Sequence, residues 1–249
     1  MKKNITLNFG SFAGFTLAEM IIVIGIIGII AEATIPTLVQ NFQEKTTVVT
    51  LKKAYSTLSS AYTLAVQENG TPDNWGLISM SSPEGGENIL NKMAPYLMVT
   101  KNCGRNSGCF SDSNKRLNGG SFVLNAGAQG TAQLADGSFI YTWSAGSCSH
   151  DQGESLALKT HCGDIGIDIN GFKKPNQLGV DIFTFYLTKY GIVPCGAQQS
   201  YVTSLTFDND CRNKSTGNGW GCAAWVIYNE NMDYLHCNDL SWSSKTKCD

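Results

Sequence analysis

The chain is poor in charge. Charged residues fill 15% of its 249 positions, low for a soluble enzyme, which favours a membrane-linked or secreted protein. Basic surplus is missing too. The net charge is −2, and a protein without a cationic face cannot neutralise phosphates, so nucleic acid is excluded as a partner. Long like-signed runs are also lacking. There are only three histidines, His150, His161 and His236, and two of them directly precede a cysteine. Neighbours in sequence seldom form a nucleophile–base dyad. No G-x-S-x-G elbow, H-E-x-x-H pair or phosphate-cradling glycine loop occurs. No enzyme activity and no cofactor are therefore expected. Internal repeats and low-complexity linkers are absent. The first hundred residues hold no cysteine, whereas nine follow. That asymmetry places the later part in an oxidising compartment, and the odd number leaves one thiol free or paired with another chain.

What is present begins with MKKNITLNFGSFA, which has Lys2 and Lys3 and no acid. Two lysines before an apolar helix keep that end in the cytoplasm. An apolar run follows from Phe15 to about Val39, enough for a bilayer, which needs about 20 such residues. The run is too long for a secretory signal, and no small-x-small cleavage site follows it. Glu19 lies inside it, although a carboxylate in the membrane costs about 2.5–3.5 kcal/mol. Such an acid implies a positive partner within the apolar phase. Glu32 is a second acid, nearer the outer end, placed to snorkel to the interface.

The helix is expected to continue beyond the membrane. Val48, Leu51, Tyr55, Leu58, Tyr62 and Ala65 recur in steps of three and four, which is one helical face. Asn69-Gly70-Thr71-Pro72 supplies a stop. A helix from Phe15 to Glu68 would measure roughly 80 Å, apolar on all sides in residues 15–39 and amphipathic over 40–69. Pro36 removes a backbone hydrogen bond and is expected to bend or locally melt it, with Gly25 and Gly28 as weaker points. From residue 70 the chain is turn-rich, with a short helix expected at Glu87–Leu97. Strands are expected at Ser121–Ala126, on both sides of the Asp136-Gly137 turn, through Ile165, Ile167 and Ile169, through Val180–Leu187, and at Ala223–Glu230. Two alternating sets in Val180–Leu187 suggest a strand buried on both faces.

Gly14-Phe15-Thr16-Leu17-Ala18-Glu19 resembles the processing junction of type IV pilins and type II secretion pseudopilins. The basic leader, the Gly before the bond, the Phe after it and Glu as the fifth residue from Phe15 all match, and Pro36 sits at that family's usual kink. Glu32 departs from its usual apolar residue. LADGSFIY, DINGFKKPNQLGVDIFTF and GCAAWVIYNENMDYLHC are similar to the globular part of such proteins. The resemblance implies residues 1–14 as a leader and 70–249 as a globular β-rich domain. The implied fold is α+β and pilin-like: a long N-terminal helix on an antiparallel sheet, with a disulfide-rich C-terminal region. It implies a prepilin peptidase and methylase acting at Gly14 and Phe15, and assembly through Phe15 and Glu19 with identical or related pilin subunits. An inner-membrane assembly platform and membrane lipid before assembly are the further partners. The expected location is a single-pass inner-membrane protein with a cytoplasmic N-terminus, then a periplasmic or extracellular filament. A secretion pseudopilin and a membrane-tethered adhesin are the alternative functions.

Three other groupings bear on chemistry. Asp164, Asp168, Asn170, Asn176 and Asp181 offer oxygens of the type calcium takes, but without EF-hand spacing, and the same residues read as turns. Asp208–Asp210 and Asn229–Asp233 are weaker versions. Cys148, His150, His161 and Cys162 are irregularly spaced for zinc, and disulfides are preferred. Short-range bridges are the adopted reading: Cys103–Cys109, Cys148–Cys162, Cys211–Cys222 and Cys237–Cys248, leaving Cys195, although spacing alone does not determine connectivity. Trp75, Trp143, Trp220, Trp225 and Trp242 are read as core or surface anchors rather than a sugar shelf.

Overall fold

The computed structural model describes residues 14, 16–78, 84–124, 129–202 and 205–249. The chain divides into two units after Gln43. Helix α1 is Leu17–Asn69, α2 Glu84–Met93 and α3 Ala223–Asn229. The strands are β1 Val99–Gly104, β2 Asn114–Lys115, β3 Ser121–Phe122, β4 Gly130–Leu134, β5 Phe139–Ser144, β6 His161–Asp168, β7 Ile182–Thr188 and β8 Gly191–Pro194. Six of them form one antiparallel sheet in the order β1-β4-β5-β6-β7-β8, while β2 and β3 pair by themselves. The protein is therefore α+β, with a long N-terminal helix and an antiparallel sheet.

The second half of α1 is built into the domain by its apolar stripe. Val48, Leu51, Leu58, Ala61, Tyr62 and Ala65 are buried, and they share one core with Phe183, Phe185 and Leu187 of β7. Tyr55 stacks on Phe185 at 5.6 Å and donates to the Ile192 carbonyl at 3.1 Å. Tyr62 donates to the carbonyls of Thr188 and Lys189. On the opposite side Thr57, Ser60 and Thr63 return their hydroxyls to carbonyls one turn back, so these polar groups are satisfied without leaving the helix. The helix ends where glycine permits a left-handed cap. Gly70 has φ +74° and its N–H bonds the Val66 carbonyl at 2.9 Å.

Strand β7 is buried along its whole length. Phe183, Phe185 and Leu187 join the α1-side core, while Ile182 packs with Phe139, Tyr141 and Phe110, and Tyr186 with Leu158 and Cys195. The Asp136-Gly137 turn joins β4 to β5, with Gly137 at φ +88°. Gly166 of β6 stands opposite Tyr141, whose ring occupies the space a Cβ would need.

Several expectations are corrected. Ala223–Glu230 is not a strand: Ala223–Asn229 is helical and Glu230 caps it at φ +57°. A short continuous apolar run fits either period. Here Trp225 stacks on Phe207 at 4.0 Å and Cys222 is bridged to Cys211, which encloses the run on several sides and removes the one-sided burial of a strand. The short helix begins earlier than expected, at Glu84, and gives way to a 3₁₀ turn over Ala94–Tyr96, because Pro95 lacks the N–H an α-helix needs. Helix α1 is continuous through Gly25, Gly28 and Pro36, so no melting occurs at Pro36. Of Ser121–Ala126, only Ser121–Phe122 is strand, and 125–126 lie outside the described residues.

Four disulfides staple the sheet-bearing unit: Cys103–Cys109, Cys148–Cys162, Cys211–Cys222 and Cys237–Cys248. Cys195 is free and buried. Burial pushes its thiol well above the ordinary range, which keeps it protonated and unreactive.

Candidate functional site: the N-terminal junction and helix

Glu19 stands in the first turn of α1. Phe15 and the leader residues 1–13 lie outside the described residues. Gly14 is exposed, with open space where a Cβ would sit. Thr16 and Glu19 form a reciprocal pair. The Thr16 N–H donates to Glu19 Oε2 at 2.8 Å, its hydroxyl to the same oxygen at 2.9 Å, and the Glu19 N–H to Thr16 Oγ1 at 3.2 Å. This is a capping box: the hydroxyl and the carboxylate satisfy N–H groups that a helix start leaves open. The capping role of Glu19 comes in addition to the ion pair expected of it, and the T-x-x-E signature in Thr16-Leu17-Ala18-Glu19 is the sequence signal for it.

Beyond the box the helix is apolar and uncovered. Leu17, Met20, Ile21, Ile22, Val23, Ile24, Ile26, Ile27, Ile29 and Ile30 are all exposed, as are Ile35, Leu38, Val39 and Phe42. Each buried aliphatic side chain is worth about 1.5–3 kcal/mol, so the stretch to Val39 demands an apolar surrounding that the described residues do not supply. By length and composition it can cross a membrane. Glu32 is exposed within it, and Thr34 turns its hydroxyl to the Ile30 carbonyl at 2.9 Å.

The other groupings resolve into local structure. Asp181 accepts from the N–H groups of Asn176 at 2.9 Å and Gln177 at 2.6 Å and from the Asn170 amide at 3.1 Å, so it organises the loop between β6 and β7. Asp168 is fully buried and accepts from the Asn170 N–H at 3.1 Å. Burial, with Asp181 beside it, pushes its carboxyl up to about 8, and burial also raises Asp181. Asp164 is apart from them, bonded to His161 Nε2 at 3.0 Å. Asp210 is buried and accepts from the Gly221 and Asn218 N–H groups, while Asp208 pairs with Arg212. Among the described residues no group of three or more His, Cys, Asp or Glu is arranged to hold a metal. The zinc reading also fails because Cys148 and Cys162 are bonded to each other. Trp75 and Trp225 are core residues, with indole N–H groups on the Gly70 carbonyl and the Asn231 amide oxygen.

No protein-family model, curated protein or solved structure matches this chain.

Proposed function

We propose that the chain is a structural subunit of a type IV pilus or a related filament, assembled through its N-terminal helix. The observation that carries this reading is a coincidence. A Gly14-Phe15 junction after a basic leader precedes Glu19, which lies within an apolar helix that the chain leaves uncovered. Before assembly, lipid covers that helix. After cleavage between Gly14 and Phe15 and methylation of the new amine, neighbouring copies cover it in the filament core. The amine stays cationic and meets Glu19 of an adjacent subunit. In the isolated chain Thr16 occupies that carboxylate, so the acid stays hydrogen-bonded while the subunit waits in the bilayer, which lowers the cost of its burial. The disulfide-stapled domain suits the oxidising side of the membrane.

The test is the N-terminus of the protein isolated from its host. Mass spectrometry is expected to find a chain beginning at methylated Phe15, and a Gly14→Glu variant is expected to retain the leader and run as a heavier band. A wild-type chain that still begins at Met1 removes the amine and overturns the reading.

A further inference from the structure

We infer that the sheet-bearing unit binds its own kind head to tail, the basic end of β6 and β7 on one copy docking on the acidic end of the same strands on another. The inference rests on the filament reading above, and it concerns residues that the junction does not involve.

The basic end is the loop joining β6 to β7. Phe172, Lys173 and Lys174 are exposed at its tip. Phe172 is 60% exposed although its ring meets Phe139 edge-on at 4.5 Å. Lys115 and Arg116 join them, because the Lys115 N–H bonds the Asn176 carbonyl and the Gln177 amide bonds the Arg116 carbonyl. Asp112 and Asp136 in adjoining turns are the exposed acids there, against four cations. Among the described residues none of these four has an ion-pair partner, whereas Lys52, Arg105, Lys189, Arg212 and Lys245 each have one. The loop is rigidly held by the three bonds to Asp181, so ordering it on binding costs little.

The acidic end lies at the other extremity of β6. The segment leading into His161 presents Asp151 and Glu154, both exposed, and Leu156 at 63% exposure. Tyr201, 50% exposed, stands beside them: its N–H bonds the Gln152 carbonyl, and the Glu154 N–H bonds the Gln199 carbonyl. Lys159 is the exposed cation nearby in sequence. The register places Asp168 opposite Ile182 at one end and His161 opposite Thr188 at the other, so the two ends are separated by about 23 Å of strand.

Each end thus has an apolar centre with charges of one prevailing sign around it, the usual build of a protein interface. The signs are opposite, which sets partner and register. Because they sit at opposite ends of one unit, a copy cannot satisfy both within itself. Contacts of this heterologous kind continue from copy to copy, into a ring where the rotation closes and an open filament where it does not, and the filament reading requires the second.

The experiment uses the full chain in non-ionic detergent. A zero-length carbodiimide, applied to a mixture of nitrogen-15-labelled and unlabelled protein, is expected to join Lys173 or Lys174 of one copy to Asp151 or Glu154 of another. Chains with Lys173→Glu and Lys174→Glu, or with Asp151→Lys and Glu154→Lys, are expected to lose self-association about tenfold by sedimentation, and to regain it when mixed with each other. Unchanged association of either reversed chain, or no association in the mixture, overturns the inference. Leader cleavage is read separately by mass: an uncut chain that still shows this cross-link defeats the filament reading and leaves the contact standing.

Discussion

At the residue scale, two carboxylates show how environment assigns a role. Glu19 and Asp168 are the same functional group in opposite settings. Glu19 closes a capping box at the head of an uncovered helix. Asp168 is enclosed, and burial beside Asp181 moves its pKa from the ordinary 3.8 to about 8. Between these two values the folded chain holds a proton that the unfolded chain has released. Unfolding then releases a proton, so stability falls as pH rises through this window and is greatest at its acid side. The slope for one such group is about 1.4 kcal/mol per pH unit, and Asp181, also raised, acts in the same direction. Urea unfolding at pH 5, 6, 7 and 8 is expected to show this decline. Asp168→Asn, which keeps an acceptor for the Asn170 N–H but cannot ionise, is expected to flatten it. An equal slope in both proteins would show that Asp168 is ionised in the fold.

At the scale of elements, α1 carries two different surfaces on one continuous helix. The stretch to Val39 bears exposed apolar residues on all sides, whereas the stretch from Val48 presents a single stripe to the sheet. Leu58 is 1% exposed at the centre of that stripe. Leu58→Ala is expected to cost about 2–5 kcal/mol, since it combines lost transfer energy with a cavity in the core that α1 shares with β7, while Val49→Ala on the exposed side is expected to cost under about 0.5 kcal/mol. Chemical denaturation of the two variants measures the difference, and equal effects would contradict the packing. This stripe was legible in the chain, because three- and four-residue steps leave little choice of face. The hairpin at Asp136-Gly137 and the doubly buried β7 were legible for similar reasons. Helix α3 was not: Ala223–Ile227 is apolar throughout, so no period distinguishes helix from strand, and its surroundings come from Phe207 and Cys211, which are remote in pattern if not in number. Strands β1 and β8 were missed because the first is largely exposed and the second has only four residues.

At the scale of the whole molecule, the proposed filament assembly is expected to separate the cap formed by Glu19 from the ion pair proposed for it. Glu19→Ala deletes the acid and the carboxylate half of the capping box, whereas Thr16→Ala deletes the hydroxyl half and keeps the acid. Membrane insertion is expected to survive in both. Filament incorporation is expected to be lost with Glu19→Ala, because an amine buried without its counter-charge costs about 3–5 kcal/mol per contact. With Thr16→Ala it is expected to persist, since a lost cap costs only about 0.5–2 kcal/mol. Quantifying subunits in sheared filaments against those in membranes compares the two; equal loss would assign Glu19 to capping alone.

Local order along the chain was enough to set the long helix, its change from uniform to one-sided apolarity, its stop at Gly70 and the class of the domain. Those features depend on periodicity and on residues with special backbone freedom, and both are written in adjacent positions. Tertiary structure alone decided that Asp168 and Asp181 share one enclosure, that the apolar run at Ala223 coils into a helix, and that the Lys115–Arg116 segment is tied to the loop carrying Lys173 and Lys174, at the opposite end of β6 from Asp151 and Glu154. Each of these depends on segments more than ten residues apart being brought together, where dielectric, enclosure and surface charge are properties of the packed chain.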